Sequence, residues 1–426
     1  MEMKKYKLGE IADYVGSGMT PLRSNELYWK SNDIPWLKTE QLGEYKIFDT
    51  KEYISNLALK ECNLKVYPKN TLSIAMYGEG KTRGNVSILA KEMTTNKACC
   101  NLIVNKTIAD YKFVFYYLKN SYNVLRSLSS GIRKNLNSED IKNFEISLPP
   151  LESQQKIAAV LSSLDDKIAL NRRMNAKLEQ MAKRLYDHWF VQFDFPNADG
   201  KPYKVSGGKM VWNETLKREI PEGWKVKKLG ELFTTNRGIS YSTKTITGEI
   251  GIPMINLASF SPDGSYKIDG IKVYTGEFTQ EKVLKPFDLV MCNTQQTAID
   301  FSKDIIGKAL LVPDIFDGDI TSSHHVNALN VHDEKLKFYL YRLFNTDYFH
   351  AYISHYASGT NIMGLDFAGV ENYSAVIPSE EILSKFADFT LNIEKKKSEI
   401  IRENKNLISL RDRLLPLLMN GQVNIN

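Results

Sequence analysis

Lys7-Leu8-Gly9-Glu10-Ile11 reappears far down the chain as Lys228-Leu229-Gly230-Glu231-Leu232, and the echo does not stand alone. Ile34-Pro35-Trp36-Leu37 is answered by Ile252-Pro253-Met254-Ile255, and Val66-Tyr67-Pro68-Lys69-Asn70-Thr71-Leu72 by Val283-Leu284-Lys285-Pro286-Phe287-Asp288-Leu289. The aromatic stretch from Tyr111 to Leu118 matches Lys337 to Leu343, Ser130-Gly131 matches Ser358-Gly359, and Ile146-Ser147-Leu148-Pro149 matches Val376-Ile377-Pro378. The offset between partners drifts only from about 218 to 229 residues. Solenoid repeats run about 20–50 residues, so this is a tandem duplication of a much larger unit, giving two similar domains related by pseudo-two-fold symmetry.

Each copy ends in a proline followed by a long amphipathic segment. After Pro149-Pro150, apolar residues fall at Ile157, Leu161, Leu164, Ile168, Leu178, Ala182, Leu185 and Trp189, close to the 3-4 spacing of a heptad seam. Asn171 and Asn175 interrupt it, as polar residues that fix register do. After Pro378, Ser379 is placed to cap a second helix carrying Phe386, Phe389, Ile393, Ile400, Leu407, Leu410, Leu414 and Leu418. Each helix is expected to run about 35–40 residues, roughly 55 Å at 1.5 Å per residue. The two could pack on their own domains. Their matched lengths and positions favour mutual pairing as an antiparallel coiled coil holding the globular units apart. Tyr186, Trp189 and Phe389 supply apolar surface beyond one seam, which points to docking of partner proteins on the helices.

The expected fold is mixed α/β and strand-rich: a first globular unit at 1–150, a long helix at 151–190, a connector at 191–224, a second globular unit at 225–378, and a second helix with the C-terminal tail at 379–426. Strands are read at Leu72–Tyr77 and Asn101–Val104, and shorter helices at Tyr111–Asn120 and Lys335–Asn345. Gly200-Lys201-Pro202, Gly207-Gly208 and Pro221-Glu222-Gly223 make the connector turn-rich.

With 426 residues, 42% hydrophobic and 25% charged, the composition is that of a globular protein rather than a disordered or fibrous one. No apolar run of about 18 residues and no apolar signal core is present, so no membrane association is expected. Cys62, Cys99, Cys100 and Cys292 show no paired spacing, which fits a reducing cytoplasm. A net charge of +6 permits nucleic-acid binding without requiring it.

Catalytic signatures are scarce. Ala75-Met76-Tyr77-Gly78-Glu79-Gly80-Lys81-Thr82 fits a relaxed phosphate-loop pattern, which needs a helix opening at the Lys-Thr. The following Arg83-Gly84-Asn85-Val86-Ser87-Ile88-Leu89 does not read as a helix N-terminus, and the second copy has Cys292-Asn293-Thr294-Gln295-Gln296 there. The six histidines lack zinc-ligand spacing, so no metal is expected. Neither a nucleophile elbow nor an S-adenosylmethionine motif is present.

The loops, by contrast, are rich in groups that suit DNA. The first copy offers Thr20, Arg23, Lys38, Gln41, Tyr77, Lys81, Arg83, Arg133 and Lys134. The second offers Arg237, Ser240, Tyr241, Asn256, Asn293, Gln295, Gln296, His324, Thr360 and Asn361. Arg and Lys suit guanine edges, Asn and Gln adenine edges, and hydroxyls phosphates. Surface loops are polar in any protein. Here, however, the scaffold segments repeat while the loops differ, as in two readers of different sequences.

These features resemble the specificity subunit of type I restriction-modification systems over essentially the whole chain. The most specific segments are Leu148-Pro149-Pro150-Leu151-Glu152-Ser153-Gln154-Gln155-Lys156-Ile157 and Leu185-Tyr186-Asp187-His188-Trp189-Phe190-Val191-Gln192-Phe193-Asp194-Phe195-Pro196. Gly207-Gly208-Lys209-Met210-Val211-Trp212, Ile220-Pro221-Glu222-Gly223-Trp224 and Leu414-Leu415-Pro416-Leu417-Leu418-Met419-Asn420-Gly421 add to them. Leu417 stands where the family often has a basic residue. The resemblance implies two target-recognition domains, each reading half of a split site in double-stranded DNA, with the paired helices setting the gap. It implies two methyltransferase subunits using S-adenosylmethionine for adenine-N6 methylation, and a restriction subunit using ATP and Mg2+. This chain would itself be non-catalytic, without cofactor or metal. The alternatives are a P-loop nucleotide hydrolase built on Gly80, Lys81 and Thr82, and a coiled-coil scaffold that binds only protein.

Overall fold

The computed structural model describes residues 3–78, 80–128, 135–246, 250–296, 303–360 and 362–423. The repeated Lys-Leu-Gly-Glu segment forms the same joint twice. Strand Lys4–Lys7 pairs antiparallel with Glu145–Leu148, and Lys225–Lys228 with Ser374–Ile377. The chain then enters a short 3-10 turn. Glu10 accepts from the Lys7 amide at 2.8 Å and Glu231 from the Lys228 amide at 2.9 Å. The amides of the fully buried Leu8 and Leu229 donate to Phe144 and Tyr373 carbonyls at 3.0 and 2.9 Å. Lys7 reaches Asn143, and Lys228 reaches Asn372, both at 3.2 Å. One joint thus ties the first strand of each copy to its last.

The chain divides into two compact units, Met1–Leu170 with Asn404–Asn426, and Asn171–Glu403. In the first, a five-stranded sheet runs Ala12–Ser17, Cys99–Val104, Leu72–Ala75, Val86–Leu89, Lys46–Ile47. The second repeats four of these as Phe233–Arg237, Val326–Val331, Leu289–Cys292, Ala309–Leu311. Leu72–Ala75 and Leu289–Cys292 are buried throughout, which fits their largely apolar character, Ser73 being the one polar side chain among them. In the first unit, Leu72, Ile74 and Leu102 pack on Phe113 of helix Tyr111–Asn120, while Ala75, Leu89 and Cys99 pack on Leu37 of a second, small sheet. That small sheet is also duplicated. Ile34–Leu37 pairs antiparallel with Glu52–Ile54 and parallel with Thr94–Thr95; Ile252–Ile255 does the same with Lys272–Tyr274 and Thr321–Ser322. Helices Tyr111–Asn120 and Glu334–Phe344 are capped by Asp110 and Asp333, close to the expected bounds.

The two long helices span Leu151–Tyr186 and Glu380–Met419, 36 and 40 residues. Within the second unit they run in opposite directions: Asn171 donates to Glu403 at 2.7 Å, Lys397 to Glu179 at 2.7 Å, and Tyr186 meets Phe386. Within the first unit Arg411 pairs with the buried Asp165 at 2.7 Å, and Ile157 and Leu161 share a core with Leu415 and Leu418. Ile157, Leu161, Ile168, Ile393 and Ile400 are buried; Leu164, Leu178, Leu185, Leu407 and Leu414 are half-buried.

Two expectations for the helix faces are corrected. Phe389 is 39% exposed, and the seam passes from Phe386 through Thr390, 0% exposed, to Ile393. Steps of four and three residues keep a buried stripe in phase, and Phe389 lies outside that phase. Tyr186 is no docking surface, because it is 2% exposed among Phe190, Tyr339 and Phe386. The connector also carries more than turns. Met210–Asn213 and Arg218–Pro221 form a hairpin, and Phe195 stacks between Tyr203 and Trp224 at 4.6 and 4.8 Å.

Candidate nucleic-acid interface

The loops singled out in the two copies leave the main sheet at equivalent glycines. The amide of Gly18 donates to Cys99 and that of Gly238 to Val326, both at 3.1 Å. The next amides, Met19 and Ile239, bond Thr95 and Ser322 of the small sheet at 3.0 and 2.7 Å. A Cβ on Gly18 would stand 2.2 Å from the Thr95 carbonyl oxygen, and one on Gly238 2.2 Å from that of Ser323. Only glycine lets the strand cross so close to the small sheet and deliver its outgoing loop there.

In the first unit that loop carries Thr20 and Arg23. The Arg23 guanidinium lies over the Trp29 ring at 3.7 Å and bonds Glu52 at 2.5 Å. Lys38 bonds the other Glu52 oxygen at 2.7 Å, so two predicted residues meet on one carboxylate that the sequence reading missed. Partial burial pushes the Glu52 carboxyl up, but bonds from Lys38 and Arg23 outweigh it and hold it below its ordinary value. The Lys38 ammonium is raised, chiefly by its bond to Glu52. Gln41 is half-buried and bonds the backbone of Asp49 and Lys51. Thr20 accepts from the Lys97 amide at 3.5 Å.

Tyr77, Lys81 and Arg83 share the hairpin loop between Leu72–Ala75 and Val86–Leu89. The P-loop alternative gains no support here. Lys81 to Gly84 are turn residues leading into a strand, and the Gly84 and Asn85 amides bond Ala75 and Thr82. Among the described residues no helix opens at Lys81, so the helix N-terminus that a phosphate loop needs is missing there. Arg126 and Tyr122 hold the loop from behind through the Gly80 and Lys81 carbonyls, at 2.8 and 2.7 Å, and the Lys81 side chain is exposed.

In the second unit Tyr241, Asn256 and Gln295 line a cavity of about 530 Å3 together with Lys272, Lys303 and His325. The Tyr241 hydroxyl accepts from Lys272 at 3.2 Å. Arg237 donates to the His324 carbonyl at 3.0 Å, and the His324 ring lies 5.6 Å from that of Tyr241. Burial, then the nearby His324, Arg237 and Lys272, lower the His325 imidazole, so it is neutral at pH 7 in cationic surroundings.

Three predicted amides face inward. Asn256 donates to Gly270, Asn293 to Asn327, and Gln295 accepts from the Ile305 amide, at 2.5, 2.6 and 2.7 Å. All three are buried and need these partners, so they shape the loops. Ser240 and Thr360 are exposed. Arg133, Lys134 and Asn361 lie outside the described residues, as does the side chain of Gln296.

Among the described residues no cluster of three or more His, Cys, Asp or Glu could hold a metal ion. Nor, among them, is any helix long and apolar enough to cross a membrane. Cys62, Cys99, Cys100 and Cys292 are free thiols.

Comparison with known proteins gives one family. The type I restriction modification DNA specificity domain matches residues 1–180 and 221–409. The chain is 28% identical to the type I restriction enzyme MjaIX specificity subunit of Methanocaldococcus jannaschii, covering 100% of this chain and 94% of that one. It is 24% identical to the HindI specificity subunit of Haemophilus influenzae, over 71% of this chain and 74% of the relative. In fold it is similar to the crystal structure of a type I restriction-modification S subunit from M. genitalium. The TM-score is 0.60 at 16% identity, over 98% of this chain and 96% of that one.

Proposed function

The chain belongs to the type I restriction modification DNA specificity family, and we propose that it selects the target of a type I restriction-modification complex by reading a split DNA site. Residues 1–150 and 225–378 are the two target-recognition domains, and the two long helices set the gap between half-sites. The observation that carries this reading is the duplication itself. Joints, sheets and glycines repeat, whereas the residues brought to the shared edge differ: Arg23, Lys38 and Glu52 in one copy, Tyr241, Lys272 and His325 in the other. A protein-only scaffold gives no reason for a repeated frame with divergent polar loops.

In this reading the chain supplies recognition, and the chemistry belongs to its partners. Two methyltransferase subunits carry S-adenosylmethionine for adenine-N6 methylation, and a restriction subunit uses ATP and Mg2+. Free cysteines suit the reducing cytoplasm in which the complex would meet DNA. Exposed Lys81 and Arg237 supply phosphate attraction, while Arg83, Gln41, Thr20, Ser240 and Thr360 lie on loops that could follow the backbone.

The test reconstitutes the chain with its methyltransferase subunits and maps methylated adenines. Exchanging residues 1–150 for the same unit of a relative should change one half-site and leave the other intact. Methylation indifferent to that exchange rejects the function.

A further inference from the structure

In both units the same two places touch, and different chemistry occupies them. Strand register sets Glu52 opposite Trp36 and Lys272 opposite Met254, so Glu52 and Lys272 hold one position of the duplicated small sheet. The loop delivered by the close-approach glycine meets that position in each copy. Arg23 bonds Glu52 at 2.5 Å, whereas Tyr241 accepts from Lys272 at 3.2 Å with its ring centre 4.8 Å from the ammonium.

Building on the DNA-reading function above, we propose that this pair determines specificity in each half: Arg23, positioned by Glu52, and Lys272, braced by Tyr241, each read a guanine. Phosphates are the same in both half-sites, so a residue that only bound phosphate would have no cause to differ between copies whose small sheets and glycine crossings agree. Arg23 is also preorganised. Its guanidinium is held between the Trp29 ring and Glu52, and the indoles of Trp29 and Trp36 are fixed by bonds to Leu22 and Met19 carbonyls at 3.2 and 3.0 Å. Its side chain stays 50% exposed, leaving donors of the fork to meet the O6 and N7 acceptors of guanine. A point charge on phosphate needs no such orientation.

The test scores methylation by the reconstituted methyltransferase complex on duplexes altered at one target position at a time. Arg23→Lys keeps the charge and loses the fork. It should reduce discrimination at one G·C position of one half-site by about tenfold to a hundredfold, with non-specific affinity unchanged. Glu52→Gln should loosen that same position by less, and the double variant should match Arg23→Lys alone. Lys272→Met should loosen a single G·C position of the other half-site. Uniform loss across all sequences makes these residues phosphate contacts and overturns the proposal, as does undiminished discrimination. A Glu52→Gln effect at a position Arg23→Lys leaves intact also overturns it. A wild-type complex without sequence preference fails the recognition function itself, whereas a specific wild type with unaltered variants fails this inference alone.

Discussion

Single glycines and cations set the geometry of each loop. Gly238 has no room for a Cβ, whose nearest neighbours would be the fixed carbonyls of Ser323 and Ser322 at 2.2 and 2.4 Å. Gly238→Ala should therefore cost about 1–3 kcal/mol of overpacking strain. Thermal unfolding checks that cost, and the same variant should lose discrimination in one half-site before the other. Lys81 extends from a hairpin loop held by other residues. Lys81→Ala should weaken binding to all sequences alike and lower the salt slope of binding by about one. Titration of the complex with DNA at several salt concentrations measures both. The residue types alone suggested candidates for DNA contact but left their partners unspecified. Glu52 is 29 residues from Arg23 and 14 from Lys38, and only strand pairing brings the three together. No local pattern marks Lys272 or Glu52, since each is one charged residue in a short strand.

At the scale of elements, the long helices show what an apolar pattern can and cannot convey. Their existence and lengths follow from the periodicity and the flanking prolines. Their seam follows only in part: Ile157, Leu161, Ile168, Ile393 and Ile400 are buried as the periodicity requires, but the charged groups that share the seam carry no apolar signal. Arg342, 5% exposed, donates to Glu394 at 2.9 Å and bonds Glu179, which Lys397 also reaches. Burial pushes the Glu179 carboxyl up, but Arg342 and Lys397 outweigh it and pull it down to about 2 from an ordinary 4.5. A carboxylate lowered on folding stabilises the fold fully above its unfolded value, and that contribution fades as pH falls towards the folded value. The second unit should thus lose stability between pH 5 and pH 2 through this group. Glu179→Gln leaves Arg342 and Lys397 with Glu394 alone and should cost roughly 3 kcal/mol at pH 7. Urea unfolding of both proteins at pH 7 and pH 3 should show a gap that narrows in acid.

For the full-length protein, helix length should set the gap between half-sites. Seven residues of helix add about 10 Å of rise, so a matched heptad inserted into both long helices should lengthen the gap by about three base pairs. Methylome sequencing reads that length directly; an unaltered gap would remove the helices from the spacing role. Inserting the heptad in one helix alone should instead break the Asn171–Glu403 and Glu179–Lys397 pairings, and lower thermal stability.

Two copies of one unit, each closing on a long helix, with a frame that repeats and loops that do not, can be read from the order of residues. Duplication leaves its mark in the order of residues, and helix length in the phase of apolar ones, so both survive in one dimension. Tertiary structure alone decided which loop residues face outward, which amides are spent on their own backbone, and which charge meets which. Those depend on strand register and burial, which join residues distant in the chain, and a hydrogen-bonding group declares its role only when its neighbours in space are known.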